Sequence, residues 1–362
     1  MPNPYADRPD HAFWSRAVAD PPGGVVDPVV AAPFNLTPAD RVATAGSCFA
    51  QHIARHLAAS GYGHLRTEAG DPAEDGGFSA RYGNIYTARQ MLLLIDEAYG
   101  LHRPADDVWR RADGRFVDAL RPRVPMNGHP SEEAVRAARS THLGAVRRVL
   151  EDCTAFVFTL GLTETWLGED GTAYPLAPGV VAEAPSSMRH RFHNFTLDEV
   201  RADLLGVVER LWDVNPSARV ILTVSPVPLV ATMSAAHVLP ATTYSKSVLR
   251  VAAQEAVDRF PHVAYFPSYE IITGPQARGA YFAPNLRAVT EEGVAAVMAV
   301  FGRHFLGRGD EEGQGASQKA SHGARAPAAV QAGAIDAETE ATLGVVCDEE
   351  AIEHSLPSAR AR

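Results

Sequence analysis

The stretch RVATAGSCFAQHIARHLAAS, residues 41–60, predicts a buried strand, a sharp turn and a helix in succession. Residues 42–44 have the composition of a short buried strand, and residues 46–48 combine a glycine with two small polar residues in a turn. The apolar residues that follow recur every four positions, which places them in one stripe on a helix that packs against a sheet: Phe49, Ile53 and Leu57.

Ser47 lies where this strand meets this helix. The first N–H groups of a helix have no intrahelical acceptor and favour negative charge nearby, so a hydroxyl nucleophile here would be well placed. The structural alternative is that Ser47 caps the helix. Cys48 is a second candidate nucleophile, because a thiolate is also activated at a helix N-terminus. Adjacent turn residues point in different directions, so we expect Cys48 to pack beneath the turn.

Composition and charge narrow the class of protein. The 362 residues are 46% hydrophobic and 21% charged, which is typical of a globular chain with a sizeable core. A formal net charge of −10 argues against nucleic-acid binding, which usually needs a basic surface.

Cysteine usage and hydropathy predict a cytoplasmic protein. The three cysteines are widely spaced and form no CxxC pair, so we expect neither a zinc site nor a disulfide framework. The first twenty residues lack a basic stretch followed by an apolar run, and no apolar run approaches the length of a membrane span. We therefore expect no secretory signal and no membrane span.

Strand and helix patterns alternate along the chain. Further strands are predicted at residues 155–160, 219–224 and 263–266, and helices at residues 87–99, 131–150, 196–212, 243–260 and 290–305. This alternation predicts an α/β fold, a three-layer sandwich around a mainly parallel sheet. Ser47, the segment 161–164 and Ser225 each follow a strand. Ligands bind beyond the carboxyl ends of such strands, so one active site is expected there.

The remaining segments frame this domain. Residues 1–40 are predicted to be an extended arm, residues 41–306 the α/β domain, and residues 307–362 a disordered tail. A partner-binding helix within residues 337–353 is the less favoured reading of the tail. Two insertions interrupt the domain: residues 100–130, with a hairpin turn expected at Asp113-Gly114, and the loop-rich residues 167–195.

Several ordered motifs carry a resemblance to a known family. They are GSCFA at 46–50, YGNIYT at 82–87, FTLGLTETW at 158–166, SPVP at 225–228 and YSKS at 244–247. By these motifs the chain is identified as a member of the bacterial GSCFA family, which resembles the SGNH/GDSL hydrolases. The resemblance covers residues 35–305 and implies an SGNH/GDSL-like sandwich with Ser47 as the nucleophile.

The resemblance also implies where oxyanion donors lie. They would be the backbone N–H groups near Ser47, Gly83 with Asn84, and the Gly161 segment. Thr163 stands where that superfamily has an asparagine, and its shorter side chain can offer one hydrogen bond. Glu164 would orient a base or bind a sugar hydroxyl, or form a structural salt bridge. Asn84 could equally be a plain turn residue.

The general base departs from the superfamily pattern. The Asp-x-x-His stretch expected before the last helix is replaced here by Asn285 and Ala288. A serine needs a base within hydrogen-bond reach, so His237, between the SPVP and YSKS motifs, is preferred, with His193 as the alternative. Lys246 is a third candidate for the general base. We favour the interpretation that Lys246 pairs with Glu164 or binds an anion.

These expectations amount to a serine-dependent esterase or O-acyltransferase acting on a small-molecule or glycan substrate. The carbohydrate part rests on superfamily analogy and on aromatics able to stack on sugars, namely Trp166, Tyr174 and Trp109. No metal or organic cofactor is expected. The alternatives are a non-catalytic ligand-binding or scaffold protein and a transferase that uses Cys48. The sequence does not predict the oligomeric state.

Overall fold

The computed structural model describes residues 3–70, 76–307 and 347–356. These residues belong to two compact units. The smaller unit comprises Met1–Thr37 with Glu270–Gly344, and the larger comprises Pro38–Tyr269 with Val345–Arg362. All of the candidate site residues named above except Asn285 and Ala288 lie in the larger unit.

The strands and helices follow one another in this order. The strands are β1 (Arg41–Gly46), β2 (Gly63–His64), β3 (Val108–Arg110), β4 (Phe116–Asp118), β5 (Ala155–Leu160), β6 (Glu164–Gly168), β7 (Ala173–Tyr174), β8 (His190–Asn194), β9 (Arg219–Val224) and β10 (Val263–Tyr265). The helices are α1 (Ala50–Ala59), α2 (Ala88–Ala98), α3 (Glu132–Asp152), α4 (Leu197–Val214), α5 (Val238–Arg259), α6 (Ser268–Thr273), α7 (Glu291–Phe305) and α8 (Glu350–His354).

A parallel sheet forms the centre of the larger unit. Its strand order is β10-β9-β5-β1-β2, and each of these pairings is parallel. Every residue of β5 is buried, as expected for a central strand that is covered on both faces. The predicted α/β fold with a mainly parallel sheet is therefore confirmed.

Helices flank this sheet and complete the core. Apolar residues of α2, α3, α4 and α5 form one buried cluster with β1, β5 and β9. Helix α1 packs on β1 and β2, and its stripe of Phe49, Ile53 and Leu57 is buried as predicted. Because β1, β5 and β9 are parallel neighbours, their carboxyl ends lie at one edge of the sheet.

Capping residues lie at two helix starts that the sequence predicts, residues 131 and 196. Ser131 caps α3, and Thr196 with Glu199 forms a capping box at α4. Helix α5 differs, because it begins at Val238 and not near Thr243. The His237 ring accepts the N–H of Leu239, which starts the helix early, and Pro240 fits the first turn because no N–H is needed there.

Two small antiparallel sheets arise from the insertions. Strands β3 and β4 form the predicted hairpin around Asp113-Gly114, and the 167–195 region contributes to a sheet of order β7-β6-β8. Trp109 and Tyr174 stack with ring centroids 5.2 Å apart in a separate apolar cluster. The second insertion is thus more regular than the loop-rich segment that the sequence indicates.

The smaller unit contains the N-terminal residues and α7. The arm, predicted for residues 1–40, carries short helical turns at Asp10–Ala12, Ser15–Ala19 and Pro22–Gly24. Leu36 N–H donates to Phe305 O, and Asp27 pairs with Arg303 and His304. Helix α7 follows the Thr290 cap.

Most of the predicted tail, residues 308–346 and 357–362, lies outside the described residues. The described part, 347–356, forms a turn and the short helix α8 within the larger unit. Cys347, Asp348 and Glu349 are buried there. The tail prediction therefore stays a prediction for the residues that are not described.

Candidate active site

Ser47 occupies the corner between β1 and α1. Gly46 precedes it with a φ of 133°, and a Cβ there would lie 2.3 Å from Thr159 O, so only glycine fits. The Ser47 N–H donates to Thr159 O over 3.1 Å and ties the corner to β5. The strand–turn–helix arrangement expected from the sequence is present.

The Ser47 hydroxyl is buried without a hydrogen bond. Its side chain is 2% exposed, and Oγ has no hydrogen-bond partner among the described residues. It does not cap α1, because no side chain caps that helix. Buried polar groups are nearly always hydrogen-bonded, so this hydroxyl requires an explanation.

Gly161 packs directly on Ser47. A Cβ at Gly161 would lie 3.1 Å from Ser47 Cβ and 2.9 Å from Tyr86 O. Gly161 N–H donates to Tyr86 O, and the buried Lys246 Nζ donates to Gly161 O over 2.6 Å. The N–H groups of Ser47 and Gly161, both expected as oxyanion donors, thus already bond to backbone carbonyls.

Asn84 lies on a segment that runs beside the Ser47 corner. Ile85 N–H donates to Gly46 O over 2.9 Å, and Gly83 has a φ of 67°. Gln51 Nε2 lies 3.4 Å from Asn84 Oδ1, which turns the Asn84 NH₂ group away from Gln51. Gln51, the second residue of α1, is a site residue that the sequence did not indicate.

Thr163 and Glu164 follow the Gly161 turn but have other contacts. The Thr163 hydroxyl donates to Asn194 Oδ1 over 2.6 Å, and its N–H donates to Ser245 Oγ. The Glu164 carboxylate accepts from Thr232 over 2.6 Å. Burial raises the pKa of Glu164, although hydrogen bonds from Thr232 and from the Met233 backbone oppose the shift.

The two candidate histidines are held by other residues. His237 is exposed at the start of α5 and accepts the Leu239 N–H at Nδ1. His193 Nε2 lies 2.8 Å from Glu199, and Nδ1 lies 3.3 Å from Arg191. Neither is hydrogen-bonded to Ser47 Oγ in the described structure.

Three aromatics were expected to stack on a sugar. Trp109 and Tyr174 are 1% and 0% exposed, so no ring face is available and the expectation is wrong for both. They fill the core of the antiparallel sheets instead. Trp166, on β6, is partly exposed and contacts Phe192 edge to face.

In the smaller unit, the segment that replaces Asp-x-x-His forms a turn of its own. Asn285 Oδ1 accepts the N–H groups of Arg287 and Ala288. Leu286, the residue after Asn285, has a φ of 54°. Asn285 therefore has a local structural role.

The other expected features concern thiols, metals and membranes. Cys48, Cys153 and Cys347 are buried, and none of them forms a disulfide bond within the described part of the chain. The described residues contain no group of three or more His, Cys, Asp or Glu side chains that could hold a metal ion. Within residues 3–70, 76–307 and 347–356, none of the helices combines the length and apolar character that a membrane span requires.

Comparison with known proteins gives the family. The model of the GSCFA family matches residues 41–301, a range that includes β1, α1 and the whole parallel sheet. A search of the curated proteins found no match. Because the family match extends over more than half of the chain, this protein belongs to the GSCFA family.

Proposed function

We propose that this protein is a serine-dependent esterase or O-acyltransferase with Ser47 as its nucleophile. The observation that carries the proposal is the buried Ser47 Oγ, which has no hydrogen-bond partner among the described residues. It lies at a strand–helix corner beside an oriented asparagine, a geometry suited to acyl transfer.

The proposed reaction has two steps. Ser47 Oγ attacks the acyl carbon of an ester, its proton passes to a base, and the alkoxide leaving group takes up a proton as the acyl-serine forms. Water or an alcohol then accepts the acyl group and restores the hydroxyl. Asn84 is the proposed donor to the oxyanion, since the N–H groups of Ser47 and Gly161 already bond to carbonyls.

For the base we propose His237, with His193 as the alternative. His193 is held at Nε2 by the Glu199 carboxylate, which is how an acid orients a catalytic imidazole. Either ring must come within about 3 Å of Ser47 Oγ, directly or through one water, during the reaction.

We propose a polar acceptor such as a glycan as the substrate. Glu164 is half-buried with a raised pKa, and Trp166 is partly exposed on the same strand. Thr163, Gly83 and Lys246 are the proposed supporting residues, Lys246 through its bond to Gly161 O.

The second candidate function is non-catalytic binding of a ligand. The observation that favours it is that both histidines are held by other residues and not by Ser47. A protein that derives from a serine hydrolase and has lost the catalytic base would keep the Ser47 corner and the Asn84 donor as a ligand-binding pocket.

A fluorophosphonate probe distinguishes the two functions. We expect covalent labelling of Ser47, located by mass spectrometry, and loss of labelling in Ser47→Ala and in the variant that lacks the true base, His237→Ala or His193→Ala. Ser225→Ala is the matched control, because Ser225 is a buried serine at the end of β9 that accepts the Val227 N–H. Absence of Ser47 labelling in the folded protein and in the segment variants described below would favour the binding function.

A further inference from the structure

The segment Cys347–Glu349 reaches the Ser47 site from the far end of the chain. All three residues are buried, although they precede only a short helix, α8. Backbone N–H groups of Asp348 and Glu349 donate to the Tyr86 hydroxyl over 3.0 and 3.2 Å. Tyr86 is itself the residue whose carbonyl accepts the Gly161 N–H.

The Asp348 carboxylate lies on Asn84. Asn84 contacts it through both its backbone and its side chain, and Asp348 Oδ2 would be 3.8 Å from a Cβ on Gly83. Because Gln51 lies against Asn84 Oδ1, the Asn84 NH₂ group is available to the carboxylate. The anion thus uses the donor that the proposed reaction assigns to the oxyanion.

Arg123 supplies positive charge on the other side of the segment. Its Nη1 donates to Cys347 O over 2.9 Å, and its Nε lies 3.9 Å from Asp348 Oδ1. Burial raises the pKa of Asp348, and the Arg123 charge and the Asn84 hydrogen bonds only partly offset it. A buried carboxylate without such donors would be strongly disfavoured.

We propose that Asn84, Tyr86 and Arg123 form a binding site for an aspartate-containing peptide segment, that the chain's own Cys347–Glu349 fills it, and that this segment must leave before a substrate reaches Ser47. The last part rests on the proposed function of Ser47; the binding site does not. The Asp348 carboxylate bonds to the Asn84 side chain that the ester oxyanion would use, and two negative charges at this position would repel each other, so segment and substrate are expected to exclude each other.

Hydrogen exchange of the full chain tests the docking. We expect the amides of Asp348 and Glu349 to be protected in the wild type and to exchange at least about tenfold faster in Tyr86→Phe, since each loses an acceptor. Glu353→Gln, an exposed carboxylate in α8, should leave exchange unchanged. Wild-type exchange at the rate of an unstructured peptide would overturn the proposal.

A labelled peptide of residues 346–356 tests the site in trans. The full-length Asp348→Ala variant, whose own segment has lost its carboxylate, should bind the peptide at least about tenfold more tightly than the wild type, where the tethered segment competes at high effective concentration. A peptide with the same Asp348→Ala change should bind much more weakly. Equal binding of both peptides would refute the carboxylate requirement.

Fluorophosphonate labelling then separates the two proposals. Asp348→Ala and Tyr86→Phe should label Ser47 at least about tenfold faster than the wild type or Glu353→Gln, if loss of one bond releases the segment. Equal rates in all four proteins would overturn the gating of Ser47 and leave the proposed function standing. No labelling in any of them, with the peptide still bound, would refute the catalytic function and keep the binding site.

Discussion

Two buried polar regions of the larger unit contrast sharply in how their atoms are paired. The Asp118 carboxylate, 0% exposed, accepts hydrogen bonds from Arg139, from Arg121 over 2.8 Å and from the Leu120 N–H. Arg139 also pairs with Glu97. Ser47, equally buried, has no hydrogen bond from its hydroxyl within the described structure.

The contrast indicates what each region is for. Leaving a buried hydroxyl unpaired costs about 1–3 kcal/mol by mutational data, so a fold that pairs every Asp118 oxygen would gain by pairing Ser47 as well. In the charged cluster each buried charge has its partner, and removal of one partner would leave a costly unpaired charge. The Ser47 corner, which sacrifices some stability, has the property expected of a site that is kept for a ligand or a reaction.

The largest effect is expected from breaking the charged cluster. Asp118→Ala leaves two buried guanidinium groups, those of Arg121 and Arg139, without their shared carboxylate. We expect a loss of about 3–5 kcal/mol in the free energy of unfolding, measured by urea denaturation. Glu209→Ala, which removes an exposed partner of Arg259, is the control and should change the free energy of unfolding by less than about 1 kcal/mol. A small loss in Asp118→Ala would contradict the structural role of the cluster.

The next largest effect is expected from acid, which acts on the neighbours of the charged cluster. Arg121 of the cluster pairs with Glu68, and Glu68 pairs with His142. Burial lowers the pKa of His142 to about 4, below its ordinary 6.5. Burial alone would raise the pKa of Glu68, but the hydrogen bond and charge of His142, the Arg121 charge and the Arg81 N–H lower it to about 2, from 4.5. Both folded pKa values are depressed, so both contributions are present above the ordinary values and lost as the pH falls.

Urea midpoints measured from pH 7 to pH 2 test this dependence. Stability should decrease from about pH 6.5 downward, first through His142 and then, below about pH 4.5, through Glu68. Glu68→Gln should flatten the curve between pH 4.5 and 2. An unchanged slope in that variant would show that Glu68 does not carry the acid sensitivity.

Replacing Ser79, a buried serine whose hydroxyl is hydrogen-bonded, should lower the free energy of unfolding less than breaking the charged cluster and more than replacing Ser47. Ser79 is 0% exposed, and its Oγ accepts the Thr44 N–H over 2.9 Å. Ser79→Ala leaves that buried N–H unpaired, for an expected cost of about 1–3 kcal/mol in urea unfolding. A neutral result would mean that Thr44 finds another acceptor.

The smallest effect on stability is expected at Ser47 itself. Ser47→Ala removes a hydroxyl that has no partner in the described residues. The free energy of unfolding should therefore decrease by less than about 0.5 kcal/mol, or it should increase. Fluorophosphonate labelling should be abolished at the same time. A destabilisation equal to that of Ser79→Ala would show that the Ser47 hydroxyl is bonded in solution.

Much of the fold could be predicted because its signals are local. The apolar run of β5, the stripe of α1 and the caps Ser131 and Thr196 are read within a few residues of the chain. The predictions of the α5 start and of exposed Trp109 and Tyr174 were wrong because these features depend on particular contacts and not on a periodic pattern. His237 starts α5 early through its own ring nitrogen, and the burial of Trp109 and Tyr174 depends on strands that pair across the insertions.

The candidate site was predictable only in part. The order of strands placed Ser47 and Gly161 at one edge of the sheet, and the resemblance to a family pointed to Asn84. Gln51 gave no signal, because one polar residue on an amphipathic helix is not distinctive. Asp348 gave none either, since composition cannot show that a segment so far beyond Ser47 in the chain returns to it.

The sequence by itself determined the α/β architecture, the Ser47 corner and family membership, because periodicity, turn residues and ordered motifs are properties of neighbouring residues. Only the tertiary structure decided which polar atoms are paired. It joined Asp118 to Arg139, left the Ser47 hydroxyl without a bond in the described residues, and set Asp348 against Asn84. Those outcomes depend on burial and on contacts between distant residues, which no local pattern encodes.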